Sequence, residues 1–337
     1  MDTQSPLRVG IVGCGNQGSA LAQAVSRTTT LRVVACADPD RAAANRVAAI
    51  APDASTHESV EALLGESDVD AILIATPHHV LYPVALTGIR AGKHVMAEKP
   101  IGLNEREAAE IEAAAMQAGI CFMAGYSFRF SMARHVHELI ASGAVGPIQA
   151  ITGAIGCPPL DEDWIAFPET GGGPLLFLGS HLVDTILWFS GDDPVEVSAD
   201  VRRRADTGAD ETSAFQIRFA GGAVAQCIVT QAASTFFYTI DILGRTGRVT
   251  LRGWNFLQFE IEVSSTANPA YAQPSVLRPR IGRDNIAMMF VPELEEFMHA
   301  VRERRQPAIT ATDGRQVLTV LDAVVEAGRA GRAVRVR

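Results

Sequence analysis

Val9-Gly10-Ile11-Val12-Gly13-Cys14-Gly15-Asn16-Gln17-Gly18 joins an apolar run to glycines spaced as G-x-G-x-x-G, and a helical pattern through Leu21, Ala22 and Val25 follows. Strand, glycine turn and helix, in that order, form the cradle that a dinucleotide pyrophosphate requires. Gly13 permits the tight turn, Gly15 lets the backbone approach the phosphates, and Gly18 lets the helix lie against the strand. The helix N-terminus, with Asn16 and Gln17 in its first turn, adds free N–H groups and partial positive charge.

The spacing alone is weak: with 29 glycines in 337 residues, it arises by chance roughly 0.2 times per chain. Its surroundings strengthen it. A second apolar run, Val33–Ala37, ends at Asp38, twenty residues after Gly18, where a carboxylate accepts hydrogen bonds from an adenosine ribose. The same carboxylate repels the 2′-phosphate of NADP, so NAD is the expected cofactor and NADP the lesser one. Arg41, three residues on, softens that preference.

The rest of the composition bounds the class. A chain of this length suggests two domains, each able to bury a core. Hydrophobic content of 47 % and charged content of 20 % are those of an ordinary globular protein. The net charge of −9, without a strongly basic stretch, argues against nucleic acid or an anionic membrane as partner. There is no run of eighteen apolar residues and no basic leader with an apolar segment, so neither a membrane span nor export is expected. Five scattered cysteines (Cys14, Cys36, Cys121, Cys157, Cys227) form no C-x-x-C pair. They read as reduced thiols in a cytoplasmic protein rather than disulfides or zinc ligands.

Before residue 125, five short apolar runs (Arg8–Val12, Leu31–Ala37, Ala71–Ala75, His94–Ala97, Ile120–Ala124) alternate with helical patterns. Continuous rather than alternating apolarity marks parallel strands covered on both faces. The clearest helix starts at Asn104 as N-cap with Glu107 as its capping-box partner, runs its apolar face through Ala108, Ile111, Ala115 and Ala118, and stops at Gly119. This reads as a doubly wound parallel sheet over residues 1–124, with ligands at the carboxyl ends of its strands.

Beyond residue 146 the period changes to two. Val195, Val197, Ala199 and Val201 alternate with polar residues, as do Phe215, Ile217 and Phe219, and Leu257, Phe259, Ile261 and Val263. Such strands are half-buried and antiparallel. The fold class is therefore α/β plus α+β: a Rossmann domain, then a domain over 125–337 built on a large open, mostly antiparallel sheet. Helices are expected on one of its faces, and a second subunit, in a homodimer or homotetramer, on the other. Residues 264–285 read as a long loop. Two helices close the chain, one around Pro292–Arg304 and one from near Thr312, the last expected to pack back on the first domain.

Two stretches carry candidate chemistry. Glu98-Lys99-Pro100 ends the fourth of the parallel strands, which directs Lys99 toward the crevice where a nicotinamide would lie. Gly171-Gly172-Gly173-Pro174 opens a helix on which spacing puts Phe177, His181, Asp184 and Trp188 on one face. The His78-His79 and His135/His137 pairs lack chelating spacing, and no metal site is inferred.

The glycine turn, Thr76-Pro77, Glu98-Lys99-Pro100, and the glycine triplet leading to His181 and Asp184 occur in one order across nearly the whole chain. Together they resemble the Gfo/Idh/MocA family of NAD(P)-dependent sugar and cyclitol dehydrogenases. The resemblance implies Lys99 as the central catalytic residue, His181 as its companion, and Arg129-Phe130 in a segment bordering the active site. The cofactor-binding set then comprises Gly13, Gly15, Asn16, Gln17, Gly18, Asp38, Ala75, Thr76, Pro77, His79, Glu98 and Lys99, and the substrate-binding set Arg129, Trp164, Phe177 and His181. Three positions depart from the family: Phe177 replaces an aspartate four residues before the histidine, Trp164 is followed by Ile165 rather than an arginine, and Leu81 replaces a histidine. They make the pocket more apolar than a typical sugar site.

On this reading the chain transfers a hydride between nicotinamide and a secondary alcohol or ketone of a small molecule: a sugar, a cyclitol or a less polar hydroxy compound. Lys99 acts as acid/base, its ordinary pKa of about 10.4 drawn toward roughly 7–8 by burial and by the positive nicotinamide ring. Two alternatives stand beside it. Bound NAD could oxidise a substrate transiently to ease an elimination or hydrolysis, or the chain could be an NAD-binding sensor without turnover.

Overall fold

The computed structural model describes residues 5–160, 163–255, 257–279 and 286–337. Two compact units emerge. One comprises Met1–Ser127 with Asn285–Arg315, the other Phe128–Asp284 with Gln316–Arg337.

In the first unit, β1 (Leu7–Val12), α1 (Asn16–Val25), β2 (Leu31–Ala37), α2 (Arg41–Ile50), β3 (Ser55–His57), α3 (Val60–Glu66), β4 (Ala71–Ile74), α4 (His78–Arg90), β5 (His94–Glu98), α5 (Glu105–Ala118) and β6 (Phe122–Gly125) alternate. The strands form a six-stranded parallel sheet in the order β3-β2-β1-β4-β5-β6. Because helices cover both faces, Val9, Ile11, Ile72, Leu73, Ile74 and Val95 are all fully buried. Each such side chain contributes roughly 1.5–3 kcal/mol by burial. The sequence reading missed β3. Its Ser55-Thr56-His57 is short, polar and half-exposed at the sheet edge, so no apolar pattern betrays it. Helix α5 forms as expected, with Asn104 Oδ1 accepting from the Glu107 N–H (3.1 Å) and Gly119 closing it at φ 64°. The returning arm differs: Glu107 Oε2 accepts from the Leu103 N–H (2.8 Å), one residue before the cap. Ala118 is exposed, because the buried stripe ends a turn earlier at Ala115.

The second unit contains α6 (Met132–Ala141), β7 (Ile148–Gly156), α7 (Gly173–Phe177), α8 (Gly179–Ser190), β8 (Pro194–Arg203), β9 (Asp210–Phe219), β10 (Val224–Thr230), β11 (Phe237–Gly244), β12 (Gly247–Gly253), β13 (Phe259–Ser265) and β14 (Ser275–Leu277). With β15 (Val334–Arg335), the strands make a nine-stranded sheet ordered β14-β13-β12-β11-β7-β10-β9-β8-β15. Pairing is antiparallel except between β7 and β10. One face is covered: Gly153 lies against Leu182 and Ile186 of α8 and Gly179 against Val229, and Ile151, Ile155, Phe215, Ile217, Cys227, Tyr238 and Ile240 are buried. The other face carries Thr152, Gln216, Gln226, Asp241 and the half-exposed Ile228.

Three details depart from the expected alternation. A bulge between Pro194 and Glu196 turns Val195 outward, where it is 39 % exposed. Leu257 precedes β13 and is only half-buried. The stretch expected to be loop over 264–285 begins with the last two residues of β13 and contains the edge strand β14, too short and mixed to announce itself; its residues 280–285 lie outside those described.

Two helices follow. Helix α9 (Val291–Glu303) buries Leu294, Phe297, Met298 and Val301 in the first unit, where the Arg302 guanidinium donates to the Ser5 carbonyl (2.6 Å). Helix α10 (Ala311–Ala330) begins in the same unit, with Arg315 paired to Glu105 (2.7 Å) and Glu112 (3.0 Å) of α5. Among the described residues, no helix is long and apolar enough to cross a membrane.

Candidate active site

At the carboxyl ends of the parallel strands, helix starts fall into two kinds. Helix α2 is capped by Asp40 (to Ala42 N–H, 2.9 Å), α3 by Ser59 (to Ala62 N–H, 3.2 Å) and α5 by Asn104. Among the described residues, no side chain caps α1 and no acidic residue stands in its first turn. Its leading N–H groups and partial positive charge are therefore available to an anion.

The glycine turn is built for close approach. Gly13 sits at φ +87°, and a Cβ there would lie 2.5 Å from the Ala75 carbonyl oxygen, while one on Gly18 would lie 2.0 Å from that of Gly13. The turn thus packs directly on the Ala75-Thr76 backbone. A Cβ on Gly15 would meet open space, so the backbone there is bare to an approaching group. Asp38 is fixed from both sides: Oδ2 accepts the Cys14 N–H (2.7 Å) and Oδ1 the Asp40 N–H (2.8 Å). A carboxylate held this way keeps lone pairs for a ribose diol. These features fit an adenine dinucleotide. Pro77 leads into α4, where His78 is buried and His79 exposed.

Across the same edge, Gln17 Nε2 donates to Glu98 Oε1 (2.6 Å), tying the first turn of α1 to the end of β5. The Lys99 N–H donates to Glu98 Oε2 (3.4 Å). The Lys99–Pro100 peptide is cis. Lys99 is half-buried, and burial pulls its ammonium pKa down to about 8 against the opposing charge of Glu98. Burial pushes the Glu98 carboxyl up, with Lys99 and the Gln17 hydrogen bond acting the other way.

The remaining candidates belong to the second unit. A Cβ on Gly171 would lie 2.4 Å from Trp164 O and Ile165 Cα, and one on Gly173, at φ +73°, 2.2 Å from Asp210 Oδ1. The triplet is therefore required by packing. Asp210 escaped the sequence reading, since a carboxylate opening a strand thirty-seven residues after Gly173 has no local signal. It is buried, accepts the Leu175 N–H (2.9 Å), and its pKa is raised by burial to about 6.

The expected helix is divided into two segments. Phe177 ends α7 and α8 starts at Gly179, with Leu178 between them in helical conformation (φ −95°, ψ −42°), and His181, Asp184 and Trp188 share one side of α8. Phe177 meets Trp164 edge-on, with ring centroids 6.4 Å apart. Arg129 is buried, and its guanidinium grips Asp184: Nε to both carboxylate oxygens (3.0 Å each) and Nη2 to Oδ1 (2.6 Å). It also lies over the Trp188 ring at 5.4 Å, on which His137 stacks at 4.0 Å. Phe128, which the sequence reading passed over beside Arg129, stacks on the His181 ring at 4.2 Å. Within each unit, then, the structure joins Gly13, Cys14, Asp38 and Ala75; Gln17, Glu98 and Lys99; Trp164 and Phe177; and Phe128, Arg129, His181 and Asp184.

Comparison with known proteins accords with both halves. Residues 7–126 match the family described as "Oxidoreductase family, NAD-binding Rossmann fold", and residues 133–250 match the "GFO/IDH/MocA C-terminal domain". The chain is 32 % identical over 289 residues to 1,5-anhydro-D-fructose reductase of Ensifer adhaerens, covering 82 % of this chain and 83 % of that one. It is 26 % identical over 334 residues to inositol 2-dehydrogenase of Rhizobium meliloti, covering 95 % and 96 %. Among solved structures, GenD2 from gentamicin A biosynthesis in complex with NAD superposes with a TM-score of 0.86 at 26 % identity, covering 100 % and 98 %. The chain belongs to the GFO/IDH/MocA family and is an NAD-binding oxidoreductase of the dehydrogenase/reductase kind.

Proposed function

We propose that the chain interconverts a secondary alcohol and a ketone on a sugar, cyclitol or less polar cyclic hydroxy compound, with Lys99 as acid/base and His181 assisting. The observation that carries this reading is Lys99 itself. It stands at the carboxyl end of β5, half-buried, with a pKa lowered to about 8, in the range where an amine can both take and give a proton near neutrality.

Gly13, Gly15, Gly18 and the open first turn of α1 would hold the pyrophosphate of NAD, and Asp38 its ribose hydroxyls. When bound, NAD supplies the group that accepts the hydride in oxidation and returns it in reduction. In the oxidative direction neutral Lys99 Nζ takes the hydroxyl proton; in the reductive direction protonated Lys99 gives it to the carbonyl oxygen. His181 hydrogen-bonds that oxygen or passes the proton to solvent.

The substrate class draws on two supports. The relatives named above act on an anhydro-sugar and on inositol, both hydroxylated rings. Phe177, at the position where the family carries an aspartate, meets Trp164 edge-on and would offer the substrate an apolar wall rather than another hydrogen-bonding group. A ring with one apolar face suits it.

A panel of cyclitols, aldoses, anhydro-sugars, sugar acids and cyclic or aromatic alcohols, followed at 340 nm with NAD, tests the reading. NADH formation with at least one ring alcohol is expected. Product without a 340 nm signal would point to transient oxidation, and silence across the panel would contradict the proposal. For the cofactor, calorimetry should find NAD(H) bound at least about tenfold tighter than NADP(H), a preference reduced in Asp38→Ala. Equal affinities would remove the role given to Asp38.

A further inference from the structure

Phe128 and Arg129 are consecutive residues in the turn Ser127–Phe130, and they grip α8 at two points one helical turn apart. Phe128 lays its ring on His181, with centroids 4.2 Å apart and planes at 14°. Arg129 closes on Asp184 through three hydrogen bonds of 2.6–3.0 Å. Both grips are backed. Phe128, 1 % exposed, is met edge-on by the fully buried Tyr238 of β11 at 5.1 Å. The guanidinium lies over Trp188, one turn beyond Asp184, and Trp188 is stacked by His137 of α6. Residues 181, 184 and 188 form one stripe on α8, and each meets a residue from the turn or from α6.

We infer that Phe128, Arg129 and Asp184 form a clamp that fixes the plane of the His181 imidazole, so that Arg129 serves the reaction as a positioning residue and not as a ligand of the substrate. The inference rests on the role proposed above for His181. A bidentate contact fixes both the rotation and the height of the helix against the turn, which a single hydrogen bond cannot do. A flat stack then fixes the remaining freedom, the tilt of the ring. A histidine that must meet one oxygen atom gains from both, because orientation errors of an ångström cost catalysis heavily. Nε and Nη2 of the guanidinium face Asp184 in a buried place, and turning them to a substrate anion would give up three hydrogen bonds to that carboxylate.

The test uses Arg129→Lys, Phe128→Leu and His181→Ala in the full chain, read by steady-state kinetics and by the ring signals of His181 in isotope-edited NMR. The clamp predicts, for Arg129→Lys and Phe128→Leu, kcat lowered by about tenfold with the substrate KM within about threefold. It also predicts that the His181 ring signals, narrow in the wild type, shift and broaden in both variants. A KM raised about tenfold or more at unchanged kcat in Arg129→Lys would make Arg129 a substrate ligand and overturn the inference. Unchanged His181 ring signals in either folded variant would overturn it as well. His181→Ala separates the two levels. Full activity there removes His181 from the reaction, whereas the ring signals still decide whether the clamp exists; if Arg129→Lys does not fold, Phe128→Leu decides alone.

Discussion

Lys99→Ala should lower kcat by about 10²–10⁴-fold, the range for loss of a positioned acid/base group, while the calorimetric affinity for NAD changes by less than about threefold. The separation follows from where the contacts lie. The cradle proposed for the pyrophosphate is backbone, fixed by Gly13 packed on Ala75 and by the open first turn of α1, and Asp38, proposed to take the ribose, is held by the N–H groups of Cys14 and Asp40. None of these depends on the Lys99 side chain. A companion variant, Gln17→Ala, removes the donor to Glu98 (2.6 Å) and should weaken activity far less. If Lys99→Ala kept kcat within a few-fold, the proton would have to travel by another group.

Asp184→Ala should destabilise the second unit by up to about 3–5 kcal/mol, because it removes the carboxylate that accepts three hydrogen bonds from the buried Arg129 guanidinium. Arg129 and Asp184 are 8 % and 1 % exposed, so water cannot replace the lost carboxylate. The pair itself contributes less than this figure suggests. Replacing both residues together with apolar ones of similar volume should recover most of the loss, since desolvation of the two charges offsets much of their attraction. Urea unfolding followed by tryptophan fluorescence measures both variants. A loss below about 1 kcal/mol for Asp184→Ala would mean that the carboxylate and guanidinium are not paired in solution as they are here.

Much of this was legible in residue order. Continuous apolar runs gave five of the six parallel strands, and G-x-G-x-x-G followed by Asp38 pointed to an NAD-binding Rossmann domain, because these features are local: each is a spacing along one strand, turn or helix. Glu98-Lys99 could be placed at a strand end for the same reason. What stayed hidden depends on contacts between distant residues. Nothing near Asp184 announces Arg129 fifty-five positions earlier, and nothing near Gly173 announces Asp210. The division of the expected helix into α7 and α8 at Leu178 has no local signal either, since Leu178 is an ordinary helix former. Val195 failed in a strand, where one bulge moves a side chain to the opposite face. The three-residue strand β3 is polar and owes its place to backbone pairing with β2. In the active-site region, the assignment of Lys99 and His181 drew on family resemblance as much as on spacing; the lowered pKa of Lys99 is what burial adds to it.

The most direct measurement of the central claim, Lys99 as acid/base, is the pH dependence of kcat/KM in both directions. Oxidation needs the neutral amine, so its rate should rise as pH passes through about 8, and reduction needs the ammonium, so its rate should fall over the same interval. Glu98 favours the charged lysine, so Glu98→Gln should move both midpoints to lower pH. A profile flat from about pH 6 to 10 in the wild type, or one whose midpoint near 8 survives in Lys99→Ala, would contradict the assignment.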